Sequence, residues 1–253
     1  VHDAAPHALA FLGAAFGAPL IPLGVDRFGQ CGSQPEVYEW LDLSAAAIAE
    51  AAIKQRTGAL LIFDEVKTGI TAGWSGATGI VGVQPDMVCL AKSIGGGLPI
   101  GAFGGTHECM DEITQGRVLH LGTYNGNPLV MAAARAVLGS VCTPDVTAAT
   151  VARNTQLVGA CSAIIDDAGL PAHTVQLGAK GCVTWTIDPV RNYRDYKTAD
   201  ADLAFAQWIH GINRGILLPP GLDEQWLISV MHTEEEALRY ANVFEEFVDE
   251  LTA

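Results

Sequence analysis

Two runs of consecutive apolar residues, each ending in a residue able to do chemistry, constrain this chain most. Ala59-Leu60-Leu61-Ile62-Phe63 lies between Gly58 and Asp64-Glu65, and Met87-Val88-Cys89-Leu90-Ala91 lies between Pro85-Asp86 and Lys92. A run of five with no polar alternation leaves no face for water, so each reads as a parallel strand buried on both sides. Helical patterns alternate with these runs, which predicts an α/β fold with a mainly parallel sheet. In open α/β sheets, ligands bind beyond the carboxyl ends of the strands. A carboxylate at 64 and an amine at 92 are therefore expected to meet at one crevice.

The residue types at that crevice suggest a specific chemistry. Lys92 opens Ser93-Ile94-Gly95-Gly96-Gly97-Leu98-Pro99, a loop with little side-chain cover. A desolvated lysine loses basicity and becomes a nucleophile, which is what a Schiff-base lysine needs. Pyridoxal phosphate also needs a carboxylate against its pyridine nitrogen to keep the ring electron-withdrawing, and Asp64 could supply it. Each residue has a plainer reading: Asp64 as a turn carboxylate capping the next segment, and Lys92 as a solvated lysine at a loop start. Neither G-x-x-x-x-G-K-[ST] nor G-x-G-x-x-G after the first strand occurs, so a P-loop and a Rossmann site are set aside.

Elsewhere the chain reads as one large and one small domain, 1–143 and 144–253. Residues 1–43 are punctuated by Gly and Pro and give no clean period. Ser44 is a candidate N-cap for a helix to about Arg56. Further helices are expected near 127–141, 145–168 and 200–213, with strands near 181–187 and 226–230. A last helix over 233–251 opens with Thr233 and Glu236 at capping-box spacing. The uncharged stretch 8–25 contains Gly13, Gly17, Pro19, Pro22 and Gly24, and reads as buried loop and strand rather than a membrane span. Lys and Arg total 14 against 28 Asp and Glu, a net charge of −14, so no basic face exists for nucleic acid. The six cysteines include no C-x-x-C pair, which points to buried thiols in a cytoplasmic protein and to no metal centre.

Three ordered segments, GALLIFDEVKTG at 58–69, LAKSIGGGLPIGAFGG at 90–105 and GTYNGNPLVMAAA at 122–134, resemble the class III pyridoxal-phosphate-dependent aminotransferases of fold type I. The resemblance implies Lys92 as the covalent lysine, Asp64 as the partner of the pyridinium and Val66 against the ring. It also implies that Gly122 and Thr123 bind the cofactor phosphate across a homodimer interface, so that two subunits share each active site. Further on, VRNYRDY at 190–196 and GILLPPGLDEQWLISVMHTEEEA at 215–237 are similar to the glutamate-1-semialdehyde 2,1-aminomutase branch. There a glutamate facing the active site matches Glu224. Many ω-aminotransferases carry an arginine in the late strand, and Trp226-Leu227-Ile228-Ser229-Val230 has none.

Other positions depart from the pattern. The phosphate loop and stacking aromatic expected upstream have no convincing copy, and Gly178-Ala179-Lys180-Gly181 stands where the mutases have Gly-Ser-Met-Phe. The implied activity is an intramolecular amino shift on a small amino or keto substrate. The alternatives are an intermolecular aminotransferase, and a non-catalytic fragment or paralogue.

Overall fold

The structure, a computed structural model, describes residues 60–253 apart from 191–192 and 220–224. The expected helix over 44–56, the apolar stretch 8–25 and Glu224 lie outside the described residues. Those described form two compact units, one ending at Pro144 and the other beginning at Asp145.

The first unit is built on a three-stranded sheet. Strand β1 (Ile62–Asp64) runs parallel to β2 (Met87–Ala91), with Ile62 opposite Met87 and Asp64 opposite Cys89. Strand β3 (Gly101–Gly105) pairs antiparallel with β2, so the described sheet is mixed. Ile62, Met87 and Cys89 form one core cluster with Cys109, and Val66 packs against it. Leu61 and Phe63 form another, with Val81 and Val83. Both faces of β1 are thus covered, which is why its run is apolar without alternation. Asp86 locks the strand entry: its Oδ2 accepts the Leu61 N–H at 2.7 Å, and its own N–H donates to the Leu61 carbonyl at 2.8 Å.

Helix α1 (Gly76–Val81) lies between β1 and β2, and α2 (His107–Thr114) follows β3. Thr106 caps α2 by accepting the Cys109 N–H. Helix α3 (Pro128–Ala136) is capped by Asn127, whose Oδ1 accepts the N–H groups of Leu129 and Val130. Pro128 suits the first turn because its missing N–H is one that would have no helical partner. The helix expected over 127–141 ends at Ala136 and widens into a π turn over Val137–Val141.

In the second unit, α4 (Pro144–Ala168) leads to an antiparallel sheet of β4 (His173–Leu177), β5 (Lys180–Thr184) and β6 (Trp226–Leu227). Helices α5 (Tyr193–Tyr196) and α6 (Ala201–Asn213) precede β6, and α7 (Glu234–Thr252) closes the chain. Leu157 and Cys161 of α4 meet Trp185, Trp226, Phe244 and Phe247 in the core. The fully buried Asn154 ties this core together. Its Nδ2 donates to the carbonyls of Gly178 and Lys180 at 2.9 and 2.8 Å, and its Oδ1 accepts Trp226 Nε1–H at 2.7 Å. The Thr233–Glu236 capping box forms as expected.

The strand near 226–230 is shorter than expected, because the chain turns at Ser229, whose N–H donates to His232 Nδ1 at 2.9 Å. Strands β3 and β4 and helices α1, α2 and α5 add to the elements expected. Cys89, Cys109, Cys142 and Cys161 are free thiols, as read, whereas Cys182 is disulfide-bonded and departs from that reading. Among the described residues no single helix is long and apolar enough to cross a membrane, and no His/Cys/Asp/Glu group could hold a metal ion.

Candidate functional site

Asp64 is the last residue of β1 and Lys92 follows the last residue of β2. Because the strands are parallel and adjacent, both side chains leave the same edge of the sheet. In this register Asp64 stands opposite Cys89, three residues before Lys92. Asp64 is half-buried, and its Oδ1 accepts the Val66 N–H at 2.9 Å. Its Oδ2 has no hydrogen-bond partner among the described residues and can accept a further donor. The plain reading of Asp64 as a turn carboxylate and its reading as a ligand for a cationic N–H are therefore compatible, one oxygen serving each. Cys89, opposite Asp64, has its thiol pushed up to about 11, first by burial and then by the Asp64 charge.

Lys92 begins a short 3₁₀ turn over Lys92–Gly95 and has φ 52°, the one positive φ outside glycine among the described residues. An L side chain pays about 1–2 kcal/mol for that conformation, and such outliers concentrate at functional sites. The turn is anchored by the buried Ile94. It packs against the end of α3: a Cβ on Gly96, itself at φ 59°, would come within 2.7 Å of Val137 Cγ2. The Lys92 side chain is exposed, so the desolvation expected of it is not provided by this chain's described residues. The reason is the loop itself, whose glycines leave no side chains to cover the amine.

Gly122 and Thr123 lie in the turn before α3, and both are exposed. The turn is closed by Asn125 N–H to the Gly122 carbonyl at 3.0 Å and Asn127 N–H to the Tyr124 carbonyl at 3.2 Å. Asn125 also meets His120 Nε2 at 3.3 Å, and His120 stands edge-on to Phe103. Asn127, not Thr123, caps α3, so the helix-capping alternative for Thr123 is not realised. Its hydroxyl makes no hydrogen bond among the described residues.

The sequence reading missed Glu65. This residue is 3% exposed, and its carboxylate accepts from Thr68 Oγ1, Ala77 N–H (2.9 Å), Thr78 N–H (2.5 Å) and Thr78 Oγ1 (2.6 Å). The one local signal is a carboxylate three residues before a threonine. The larger contacts come from 12 and 13 residues downstream.

These groups suit pyridoxal phosphate as a set. They offer a carboxylate oxygen free to accept a ring N–H, an amine to take an aldehyde, and an uncommitted hydroxyl beside a glycine turn for a phosphate.

The model of the family "Aminotransferase class-III" matches residues 44–167, which contain Asp64, Val66, Lys92, Gly122 and Thr123. A glutamate-1-semialdehyde 2,1-aminomutase from Thermomicrobium roseum is 38% identical over 186 residues, 73% of this chain and 43% of that protein. A solved glutamate-1-semialdehyde aminomutase from Pseudomonas aeruginosa, in complex with PMP, superposes with TM-score 0.72 at 25% identity over 82% of this chain and 48% of its own. A β-phenylalanine aminotransferase from Variovorax paradoxus superposes with TM-score 0.78 at 27% identity over 98% of this chain and 56% of its own. The chain thus spans less than half the length of the curated relatives it matches.

Proposed function

The chain belongs to the class-III aminotransferase family, and from that premise we propose that it takes part in pyridoxal-phosphate-dependent amino-group transfer. Its α/β architecture is that of the fold type I transferases. The reaction proposed is of the glutamate-1-semialdehyde 2,1-aminomutase kind, an amino group shifted between C2 and C1 of one small substrate through its diamino form. The observation that carries this is the place of Asp64 and Lys92 at one end of the sheet, with one Asp64 oxygen and the Lys92 amine both without a hydrogen-bond partner among the described residues.

Pyridoxal phosphate, when bound, supplies the electron sink that stabilises negative charge at the substrate carbon. Lys92 Nζ would hold the cofactor covalently and, once displaced, carry the proton that leaves the substrate carbon. Asp64 Oδ2 would accept the ring N–H, and its negative charge keeps that proton in place. Val66, seated on the Ile62–Met87–Cys89 core, gives a fixed apolar surface for one ring face. Gly122 N–H and Thr123 Oγ1 would donate to the phosphate, and Glu224 would face the substrate.

A homodimer sharing its sites fits this arrangement. Leu119, Leu121, Tyr124 and Leu129, on either side of Thr123, are 69–83% exposed. An apolar surface of that kind marks an interface, and a second copy would set Thr123 against a neighbouring site. A cytoplasmic place draws support from the four free thiols, and the disulfide at Cys182 counts against it.

A second reading is an intermolecular aminotransferase, favoured by the superposition of the β-phenylalanine aminotransferase over nearly the whole chain. The absence of arginine from Trp226 to Val230 favours the mutase. The test is to load the purified protein with pyridoxal phosphate, reduce with borohydride and map the adduct. Turnover of glutamate 1-semialdehyde is then compared with that of an amine and keto-acid pair. An adduct on Lys92 with isomerisation of the semialdehyde alone supports the mutase. Turnover requiring both amine and keto acid supports the alternative. Failure to bind the cofactor identifies a non-catalytic fragment or paralogue.

A further inference from the structure

We propose that Glu65 is a positioning residue whose buried carboxylate, by gathering residues 68–78 onto itself, fixes the directions in which Asp64 and Val66 leave the end of β1. This rests on the reading of Asp64 as the partner of the pyridine nitrogen.

Asp64 and Glu65 are consecutive carboxylates with opposite fates. Glu65 is buried and saturated by four donors, while Asp64 is half-exposed and keeps one oxygen open. A buried carboxylate is costly unless its lone pairs are filled, and here backbone and hydroxyl donors fill them. The seat is shaped for it. A Cβ on Gly76, at φ 62°, would fall 2.7 Å from both Glu65 oxygens, so only glycine admits the carboxylate.

The connection to Asp64 runs through the main chain. The Glu65 N–H donates to the Cys89 carbonyl at 2.9 Å, tying it to β2, while its side chain is pinned at residues 68, 77 and 78. With both ends of Glu65 held, the following peptide has a fixed orientation. That peptide carries the Val66 N–H, which holds Asp64 Oδ1. Releasing the Glu65 carboxylate therefore frees the one donor that Asp64 has among the described residues.

Glu65→Gln tests this sharply. The Ala77 N–H points at Oε2 and the Thr78 N–H at Oε1. Whichever way a glutamine amide is turned, its NH₂ meets a backbone N–H. Two readouts are needed. In the cofactor-free full chain, amide exchange at Val66 should rise about tenfold or more, as for a lost hydrogen bond to a charged acceptor. In the protein loaded with ¹⁵N-labelled pyridoxal phosphate, the ring-nitrogen resonance should move from its protonated position toward the neutral one, as in Asp64→Asn. Thr106→Ala, which loosens the cap of α2, should lower the melting temperature and move neither readout.

Faster exchange confined to residues 68–78, with Val66 and the ¹⁵N resonance at their parental values, would overturn the proposal and leave Glu65 a loop staple. If Glu65→Gln does not fold, Thr78→Val, which removes one hydroxyl donor, must shift both readouts the same way by less, and no shift overturns it equally. An unmoved ¹⁵N resonance in Asp64→Asn would instead refute the assignment of Asp64, with Val66 exchange still deciding the role of Glu65.

Discussion

Asp64 stands directly opposite Cys89 in the parallel register of β1 and β2, and its negative charge adds to burial in pushing the Cys89 thiol up to about 11. Cys89 is thus a built-in reporter of the Asp64 charge, readable without any cofactor. In Asp64→Asn the thiol should titrate lower, though still above its ordinary value, because burial is the larger cause and stays. A ¹³Cβ titration of labelled cysteine checks this, and an unmoved Cys89 would mean that Asp64 carries no charge facing β2. The same variant should retain the cofactor yet lose about 10³-fold or more in turnover, several kcal/mol of barrier.

The left-handed backbone at Lys92 separates two substitutions that otherwise look alike. Lys92→Ala and Lys92→Gly both remove the amine and should both abolish the borohydride-trapped adduct. Only glycine adopts φ 52° without a Cβ penalty. The glycine variant gives back part of that gain in unfolded-chain entropy. The cofactor-free Lys92→Gly protein should still exceed Lys92→Ala in stability by roughly 1 kcal/mol, measured by urea unfolding. Equal midpoints, or a more stable alanine variant, would show that the backbone there carries no strain.

The last helix has a pH dependence of known sign. Hydrogen bonds from the Thr233 N–H and hydroxyl hold the Glu236 carboxyl below its usual range. A carboxylate whose value is lowered on folding contributes fully above its unfolded pKa, and that contribution is lost as pH falls through the folded value. Protection of the Thr233 amide, its exchange taken relative to the intrinsic rate at each pH, should therefore be flat from neutral pH down to the ordinary carboxylate range. Below it, the exchange should rise relative to amides in the middle of α7. In Glu236→Gln that pH-dependent rise should vanish. Its persistence would place the titrating group elsewhere.

What the sequence made legible was what is local. The runs 59–63 and 87–91 announce buried strands because neither offers water a polar face, and they place Asp64 and Lys92 at a common edge. Strand β3 is hidden because Gly-Ala-Phe-Gly-Gly has almost no side chains to show a period. Helix α1 is six residues with two glycines, too short and too weak in propensity to stand out. Glu65 escaped for a different reason: a glutamate after an aspartate looks solvated until residues 77 and 78 come back to it. For Lys92 the sequence leaves a desolvated and a solvated lysine both open; the exposed side chain agrees with the solvated one, because the glycines around it cover nothing.

Thr123 provides the test of whether sites are shared between subunits. Its hydroxyl is exposed and unbonded among the described residues, on a turn flanked by exposed Leu121 and Tyr124. If it donates to a phosphate held by a neighbouring subunit, removing it costs one hydrogen bond to a charged acceptor, about 1.5–3 kcal/mol. Thr123→Ala should then weaken cofactor retention about 10- to 100-fold, and cofactor should stabilise the dimer by mass action. Mixing Lys92→Ala subunits with Thr123→Ala subunits distinguishes the two geometries. With shared sites, a mixed dimer gathers both lesions into one site and leaves the other intact, so activity returns although each parent is impaired. With unshared sites, every site keeps one lesion and mixing restores nothing. With subunit exchange verified by tagged copies, absence of recovery would return Thr123 to its own subunit's site.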